Sequence, residues 1–316
     1  MKLSIVAPVY NEEAVITDFH YNLLMPAIST LKGTKSYEVV YVNDGSSDKS
    51  LEILQQLTQH DKHIKVVSLS RNFGKELALT AGIAEATGDA ILTIDTDGQQ
   101  PPRYIQQFVD RWLAGADVVV GVRDHYQKHG LVARLGSSLF YFLINILGAK
   151  TVPGSTDFRL ISKEVQAEFL KLTEHRRITR GIIDWLGFKQ DHLYFTYENR
   201  LAGKPSYNFK KLFGLAINSF ISMSPTPLYI FGWLGCAITL LSGLFGLFIL
   251  IEQFAMSDPM GLNFTGATCL GIFTAFLIGL VLISQAITAL YISHIHTESL
   301  GRPLYVVDKK NSRNLK

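Results

Sequence analysis

Two aspartates, Asp95 and Asp97, stand one residue apart where a short apolar run ends and a turn with Gly98 begins. The run, residues 90–94, is rich in β-branched side chains, which is typical of a buried parallel strand. Carboxylates at the end of such a strand can bind a hard divalent cation that keeps open positions for phosphate oxygens. A solvated Asp-X-Asp turn that closes an ordinary strand is the alternative, and the triplet alone does not separate the two.

Strand-like runs alternate with helix-like runs through the first half of the chain. The strand-like runs cover residues 3–9, 37–42, 64–69, 90–95 and 117–122. This alternation predicts an α/β fold with a mainly parallel sheet that is covered on both faces. Polar side chains follow the runs, namely Asn11, Asp44, Arg71, Asp95 and Arg123. Any one of them could instead cap a helix, and for Asn11 alone a cap is the better explanation. Because ligands bind beyond the carboxyl ends of parallel strands and all of these side chains face the same edge, we expect them at one ligand-binding edge.

Two common phosphate-binding motifs are missing from the sequence. No Gly-x-Gly-x-x-Gly follows the first strand-like run, and Gly-x-x-x-x-Gly-Lys-[Ser/Thr] does not occur. A nucleotide at this edge would therefore be held by an acid on its base or ribose and by a metal ion on its pyrophosphate.

Charged side chains nearly vanish between residues 212 and 292 of the 316-residue chain. Two uncharged runs in that region, residues 228–251 and 265–292, are long enough to cross a bilayer, which takes roughly 20 apolar residues. The loop between them has no Lys or Arg, whereas both flanks carry several, so both chain ends are expected in the cytosol. The predicted parts are a cytosolic catalytic domain (1–211), an interfacial helix (212–227), two transmembrane helices (228–292) and a cytosolic tail (293–316).

The net charge, the cysteines and the N-terminus give no sign of a nucleic-acid partner, a metal site or a signal peptide. The formal net charge of +3 is small and gives no argument for a nucleic-acid partner. Cys236 and Cys269 lie in separate apolar runs without the spacing of metal ligands, and we expect them to fill space. The N-terminus opens directly into a strand-like run, so no cleaved signal peptide is expected.

Two further segments allow more than one interpretation. Residues 130–147 are apolar and aromatic with an arginine near their start, which favours an interfacial or groove helix, with a helix of the α/β core as the alternative. Residues 199–211 are basic and precede the first uncharged run. They form either a solvated loop or a phosphate-binding patch beside the membrane.

Five ordered stretches of the chain resemble the inverting family two glycosyltransferases, and specifically their polyprenyl-phosphate branch. That branch includes dolichol-phosphate mannose synthases and bactoprenol glucosyltransferases. The matching stretches are residues 8–13, 42–48, 70–76, 95–102 and 157–160. The resemblance implies a nucleotide-sugar-binding, Rossmann-like domain of the GT-A type, followed by a C-terminal two-helix transmembrane hairpin.

The resemblance also assigns roles to residues of this chain. The implied nucleotide-sugar pocket consists of Pro8, Tyr10, Glu12, Asp44, Asp95 and Gln99. The implied ligands of Mg²⁺ or Mn²⁺ are Asp95, Asp97 and Gln99. The implied contacts to the acceptor phosphate are Arg123, Arg134, Ser138 and Arg200. Asp157 stands at the position of the family's catalytic carboxylate, and Asp97 is implied to act with it.

The chemistry of such a transfer fits these residue types. A lipid phosphate is already anionic at neutral pH, so the reaction needs little general-base catalysis. A metal ion neutralises the leaving nucleoside diphosphate, and arginines can hold donor and acceptor phosphates close together. We therefore expect Asp157 to position the incoming phosphate and to form no covalent glycosyl-enzyme.

The expected activity is inverting transfer of one sugar from a nucleotide sugar to undecaprenyl or another polyprenyl phosphate, at the cytosolic face of a bacterial plasma membrane. Glucose from UDP-glucose is the first candidate, with N-acetylhexosamine, galactose and mannose donors left open. A homo-oligomer is expected. A processive polysaccharide synthase and a non-enzymatic scaffold are the alternatives. The sequence lacks the Gln-x-x-Arg-Trp motif of the former and retains the acids that the latter would have lost.

Overall fold

The computed structural model describes residues 1–124, 154–175, 177–198, 244 and 266–315. The chain divides into two compact units, one of Met1–Leu212 with Arg302–Lys316 and one of Phe213–Gly301. Several predicted features lie outside the described residues, namely Arg134, Ser138, Arg200, the helix at 130–147 and the interfacial helix at 212–227.

Seven strands form one sheet in the first unit. They are β1 (Lys2–Val9), β2 (Ser36–Asn43), β3 (Ile64–Ser68), β4 (Ala90–Thr93), β5 (Val118–Arg123), β6 (Ser155–Ser162) and β7 (Gln190–Phe195). Their order across the sheet is β3-β2-β1-β4-β6-β5-β7. The first four strands are mutually parallel, as are β5 and β7, whereas β6 is antiparallel to both β4 and β5. The predicted mainly parallel sheet is confirmed, and the reversed β6 was not predicted.

Helices cover both faces of this sheet. They are α1 (Ile16–Asp18), a π-helical turn (Phe19–Leu24), α2 (Met25–Ser29), α3 (Ser50–His60), α4 (Lys75–Glu85), a 3₁₀ turn (Pro102–Tyr104), α5 (Ile105–Leu113), α6 (Lys163–Lys171) and α7 (Thr179–Trp185). Alternate residues of β1 point to opposite faces, so that Ile5 belongs to one buried cluster and Val6 to another. This two-sided burial explains why the central strands are almost continuously apolar.

A buried carboxylate ties the amino ends of the central strands together, far along the strands from the ligand-binding edge. Glu38 of β2 accepts hydrogen bonds from Lys2 Nζ at 2.8 Å, Ser4 Oγ at 2.6 Å and the Thr87 backbone N–H at 2.6 Å. Lys65 Nζ of β3 lies 3.1 Å from the same side chain. Burial favours the neutral acid, but these donors outweigh it and lower the pKa of Glu38 to about 2.

The second unit contains helix α8 (Gly266–Ser299), which covers most of the second predicted transmembrane run. Within the described part of the chain, no helix is both long enough and apolar enough to span a membrane. Of the first predicted run, residues 228–251, only Leu244 is described. The predicted transmembrane hairpin is therefore not confirmed.

Candidate active site

A cavity of about 290 Å³ lies at the carboxyl ends of β1, β2 and β4. Six of the predicted site residues line it, namely Pro8, Tyr10, Glu12, Asp44, Asp95 and Asp97. Pro8 belongs to β1, Asp44 follows β2, and Asp95 lies two residues beyond the end of β4. The parallel register of these strands thus brings together residues that are far apart in the sequence, as expected for a sheet of this type.

Asp44, which follows β2, binds a neighbouring loop, residues 70–74, through hydrogen bonds. Its buried carboxylate accepts hydrogen bonds from the backbone N–H groups of Phe73 at 2.7 Å and Gly74 at 2.9 Å. Burial raises the pKa of Asp44, although these two donors and the charge of Arg71 act in the opposite direction. Gly45 allows the close approach, because its φ is +63° and a Cβ there would lie 2.4 Å from the backbone of Arg71.

Lys75, the first residue of α4, contacts the carboxylate of Asp95, which lines the cavity, and that of Asp157, which is not among the lining residues. Its Nζ is 2.7 Å from Asp95 Oδ1, 2.9 Å from Asp95 Oδ2 and 3.1 Å from Asp157 Oδ2. Burial opposes protonation of the amine, but the two carboxylates raise the pKa of Lys75 above its ordinary value. Lys75 lies in one of the stretches that carry the resemblance, but no local pattern predicts which acids it contacts.

Cations near Asp157 favour its ionised form. β6 pairs with β4 so that Arg159 is opposite Thr93, which places Asp157 beside the carboxyl end of β4. Burial disfavours the charged carboxylate, but Lys75, Arg180 and Arg159 outweigh this effect and lower the pKa of Asp157.

Two residues near Asp157, Arg159 and Glu76, bind helix α7. Arg159 is buried, and its guanidinium binds Asp184 of α7 through Nη1 at 2.6 Å and Nη2 at 3.3 Å. Glu76 accepts a hydrogen bond from the Thr179 backbone N–H at 2.8 Å. Burial and the charge of Asp157 raise the pKa of Glu76. The sequence did not single out Glu76, because its neighbours come from α7, about a hundred residues later in the chain.

Hydrogen bonds within the Asp-X-Asp turn fix the positions of its carboxylates. Asp95 exchanges two hydrogen bonds with the buried Gln100, from Asp95 N to Oε1 and from Nε2 to Asp95 Oδ2, both at 2.9 Å. Asp97 Oδ1 accepts the backbone N–H of Gln99 at 3.0 Å. Gln99, which was predicted to face the metal, is not among the residues that line the cavity. Burial raises the pKa of Asp95, and Lys75 opposes this effect.

The donor atoms of this turn suit a hard cation. Asp95 and Asp97 present carboxylate oxygens to one cavity, and two protein ligands leave the other coordination positions to phosphate oxygens. Over residues 1–124, 154–175, 177–198 and 266–315, no group of three or more His, Cys, Asp or Glu side chains could hold a metal ion by itself.

Of the four residues predicted to bind the acceptor phosphate, only Arg123 is described. It lies at the end of β5, and its guanidinium stacks on the ring of Tyr197 at 3.5 Å from the ring centroid. The cation–π contact holds the guanidinium plane in one orientation. The structure does not bring Arg123 to the cavity wall, and its role stays a prediction.

The model of the family described as "Glycosyl transferase family 2" matches residues 4–169. The uncharacterized glycosyltransferase sll0501 of Synechocystis sp. is 37% identical over 308 residues, which are 97% of this chain and 95% of that protein. The SfII prophage-derived bactoprenol glucosyl transferase of Shigella flexneri is 33% identical over 317 residues, which are 99% of this chain and 100% of that protein.

Among solved structures, glucosyl-3-phosphoglycerate synthase from Mycobacterium tuberculosis in complex with Mn²⁺ and UDP-glucose is 22% identical, with a TM-score of 0.46 over 70% of this chain and 77% of that one. A likeness at this level carries no argument about the family of this chain. The family match and the sheet with its cavity at the carboxyl edge confirm the GT-A-like α/β fold. Because the family match covers residues 4–169 and relatives at 37% and 33% identity extend over nearly the whole chain, this protein belongs to glycosyl transferase family 2.

Proposed function

We propose that this glycosyltransferase moves a single sugar from a nucleotide sugar to a polyprenyl phosphate, with glucose from UDP-glucose as the first candidate. The observation that carries the proposal is the cavity lined by Asp44, Asp95, Asp97 and Lys75, together with the contact of the Lys75 ammonium to Asp157. The names of the bactoprenol glucosyl transferases among its relatives support the lipid acceptor and the sugar.

The nucleotide sugar is assigned to this cavity. Tyr10, which is 48% exposed, offers an aromatic face on which a base can stack. Asp44 keeps lone pairs on its carboxylate for a base or ribose donor, in addition to the two backbone donors that it already accepts. Mg²⁺ or Mn²⁺ at Asp95 and Asp97 would neutralise the pyrophosphate as it leaves. Lys75 adds a fixed positive charge beside the same phosphates.

The reaction is a direct displacement. An oxygen of the acceptor phosphate attacks the anomeric carbon, the bond from that carbon to the nucleoside diphosphate breaks, and the configuration inverts. The lowered pKa of Asp157 favours its carboxylate form, which orients the acceptor without taking part in a covalent intermediate. Trapping of a sugar on Asp157, detected by mass spectrometry of the protein after incubation with the donor, would overturn this part of the proposal.

The acceptor side and the membrane remain part of the proposal. Arg123, with the predicted Arg134, Ser138 and Arg200, would hold the lipid phosphate. The uncharged runs at 228–251 and 265–292 and the basic residues outside them support a two-helix anchor in the bacterial plasma membrane, with the catalytic domain and both termini cytosolic. The proposed assembly is a homo-oligomer.

Transfer into lipid is the test. The purified full chain is incubated with undecaprenyl phosphate, Mg²⁺ or Mn²⁺, and one of a panel of radiolabelled UDP- and GDP-sugars, and chloroform-extractable label is counted. We expect one labelled lipid, lost with EDTA and with Asp97→Asn, and retained with Asp110→Asn, which changes an exposed acid of α5. No labelled lipid from any donor would refute the proposal.

A further inference from the structure

The C-terminal segment, residues 302–315, packs along the edge strand β3. Val66 and Arg313 exchange backbone hydrogen bonds at 3.1 and 2.9 Å, and Leu69 pairs with Val307 in the same antiparallel sense. The Asp308 backbone N–H donates to Ser68 O at 2.7 Å. The segment thus satisfies backbone groups that an edge strand otherwise presents to solvent.

A turn within the segment is built for this contact. The Asp308 carboxylate caps it by accepting the backbone N–H of Lys310 at 3.0 Å, and the Ser312 hydroxyl donates to Asp308 O at 2.7 Å. The same hydroxyl oxygen accepts the backbone N–H of Ser68 at 3.0 Å, and Ser312 is buried. The turn therefore presents one fixed acceptor to one amide of β3.

Side chains add a packed face to these backbone contacts. Tyr305, Val307 and Leu315 pack against the buried cluster that contains Val67 and Leu69 of the sheet. Gln55 of α3 and Asn314 add polar contacts, because Gln55 Nε2 donates to Asn311 O and Asn314 Nδ2 donates to Ile64 O, both at 2.8 Å. The segment is thus held by apolar packing as well as by hydrogen bonds.

The contacts continue to the wall of the cavity. Ser70, which follows the paired part of β3, donates its backbone N–H to Val306 O at 2.9 Å. Three residues later Phe73 begins the two hydrogen bonds to Asp44, and Lys75 follows. Because the loop between them is neither helix nor strand, its position depends on its anchors, which are Asp44, the start of α4 and the end of β3.

This loop also fits tightly against its neighbour. The space at Gly45 leaves no room for a Cβ beside Arg71, so small displacements of the loop would produce a clash or open the contact. A loop that must be placed this closely needs a fixed end on the β3 side.

We propose that residues 302–315 act as a positioning element for the donor site. The segment holds the end of β3, and the end of β3 in turn holds the loop that carries Phe73, Gly74 and Lys75. The ligand of that site rests on the proposed function, whereas the coupling of segment to loop does not. None of these residues is among those that line the cavity; they act through Ser68 and Ser70.

The test uses full-length Ser312→Ala and Val307→Asp proteins, with Lys309→Ala, an exposed change in the same segment, as the control. Hydrogen exchange is followed at the amides of Ser68 and Ser70, which report on the segment, and of Phe73 and Gly74, which report on the loop. UDP-glucose binding in Mn²⁺ and the KM for undecaprenyl phosphate are measured on the same samples.

We expect both variants to speed hydrogen exchange at all four amides. The Kd for UDP-glucose should rise by roughly fivefold in Ser312→Ala, which loses one hydroxyl, and by more in Val307→Asp. The KM for undecaprenyl phosphate should stay unchanged. Faster exchange at Ser68 and Ser70 with native exchange at Phe73 and Gly74 would overturn the proposal. So would a parallel loss of protection in β1, because the segment would then serve general stability. If the native protein bound no nucleotide sugar, the proposed function would fail, and the exchange data would still decide whether the segment positions the loop.

Discussion

Replacing Lys75 with methionine removes the ammonium group that lies between the carboxylates of Asp95 and Asp157. The change preserves the length and much of the volume of the side chain, so its effect reports on the charge. In the variant, the carboxylates of Asp95 and Asp157 would lack the cation that contacts both of them in the native protein. We expect the variant to fold and to lose activity.

The magnitude follows from the three contacts at 2.7, 2.9 and 3.1 Å. A hydrogen bond to a charged group contributes about 1.5–3 kcal/mol. The lysine side chain is 39% exposed, so solvent screens the pair and the low end applies. A loss of about 1.5 kcal/mol in the transition state corresponds to a fall in kcat/KM of about 12-fold.

The pH dependence has a defined sign. Burial disfavours the ionised form of Asp157, whereas Lys75 favours it, and the net effect is a lowered pKa. Removing Lys75 therefore raises the pKa of Asp157, and the acidic limb of the rate profile moves to higher pH.

The assay measures transfer of label into lipid between pH 5 and 9 for the native protein, Lys75→Met, Lys75→Arg and Lys171→Met. Lys171 is an exposed lysine of α6 whose ion pair with Glu168 lies on the surface, and its loss should leave activity unchanged. Arginine keeps the charge and should retain part of the activity, despite its different shape. A Lys75→Met protein with native kcat/KM and an unmoved acidic limb would refute the reasoning.

Three further predictions concern stability and loop placement. Gly45→Ala forces a left-handed φ and a clash with Arg71, so we expect about 2 kcal/mol less free energy of unfolding and weaker UDP-glucose binding; unchanged urea denaturation would contradict this. Arg159→Met removes the guanidinium that pairs with the Asp184 carboxylate, and it should lower the free energy of unfolding by about 3 kcal/mol, measured by urea denaturation. Protonation of Glu38 should lower the free energy of unfolding by about 3 kcal/mol as pH falls from 4.5 toward 2, because the pKa of Glu38 is lowered from 4.5 to about 2 on folding. Urea denaturation at a series of pH values measures this, and Glu38→Gln should remove the Glu38 part of the pH dependence.

Local sequence pattern predicted the part of the site that depends on strand ends. Asp44 and Asp95 each follow a run of buried residues, and parallel strands carry such residues to a common edge whatever their order in the sheet. The sequence therefore predicted that these acids would share a cavity, and it predicted the α/β class for the same reason.

The parts that the sequence did not reveal depend on contacts between distant segments. The reversal of β6 is set by its pairing with β4, about seventy residues earlier, and no local periodicity records the direction of a strand. The pairing of Lys75 with Asp157 follows from that register. The docking of residues 302–315 on β3 is likewise invisible, because a short polar segment beyond a long helix has the composition of a solvated tail.

The charges around the cavity bear on how the donor binds. Within the described part of its wall, four acidic side chains, Glu12, Asp44, Asp95 and Asp97, stand against one cation, Lys75. A pyrophosphate entering alone would meet a wall of its own sign, since one ammonium offsets only one of those carboxylates. A divalent cation that travels with the pyrophosphate reverses the sign at the oxygens that approach Asp95 and Asp97. The charges on this wall therefore favour a nucleotide sugar that binds as its metal complex, with Lys75 keeping Asp95 and Asp157 in place before the donor arrives.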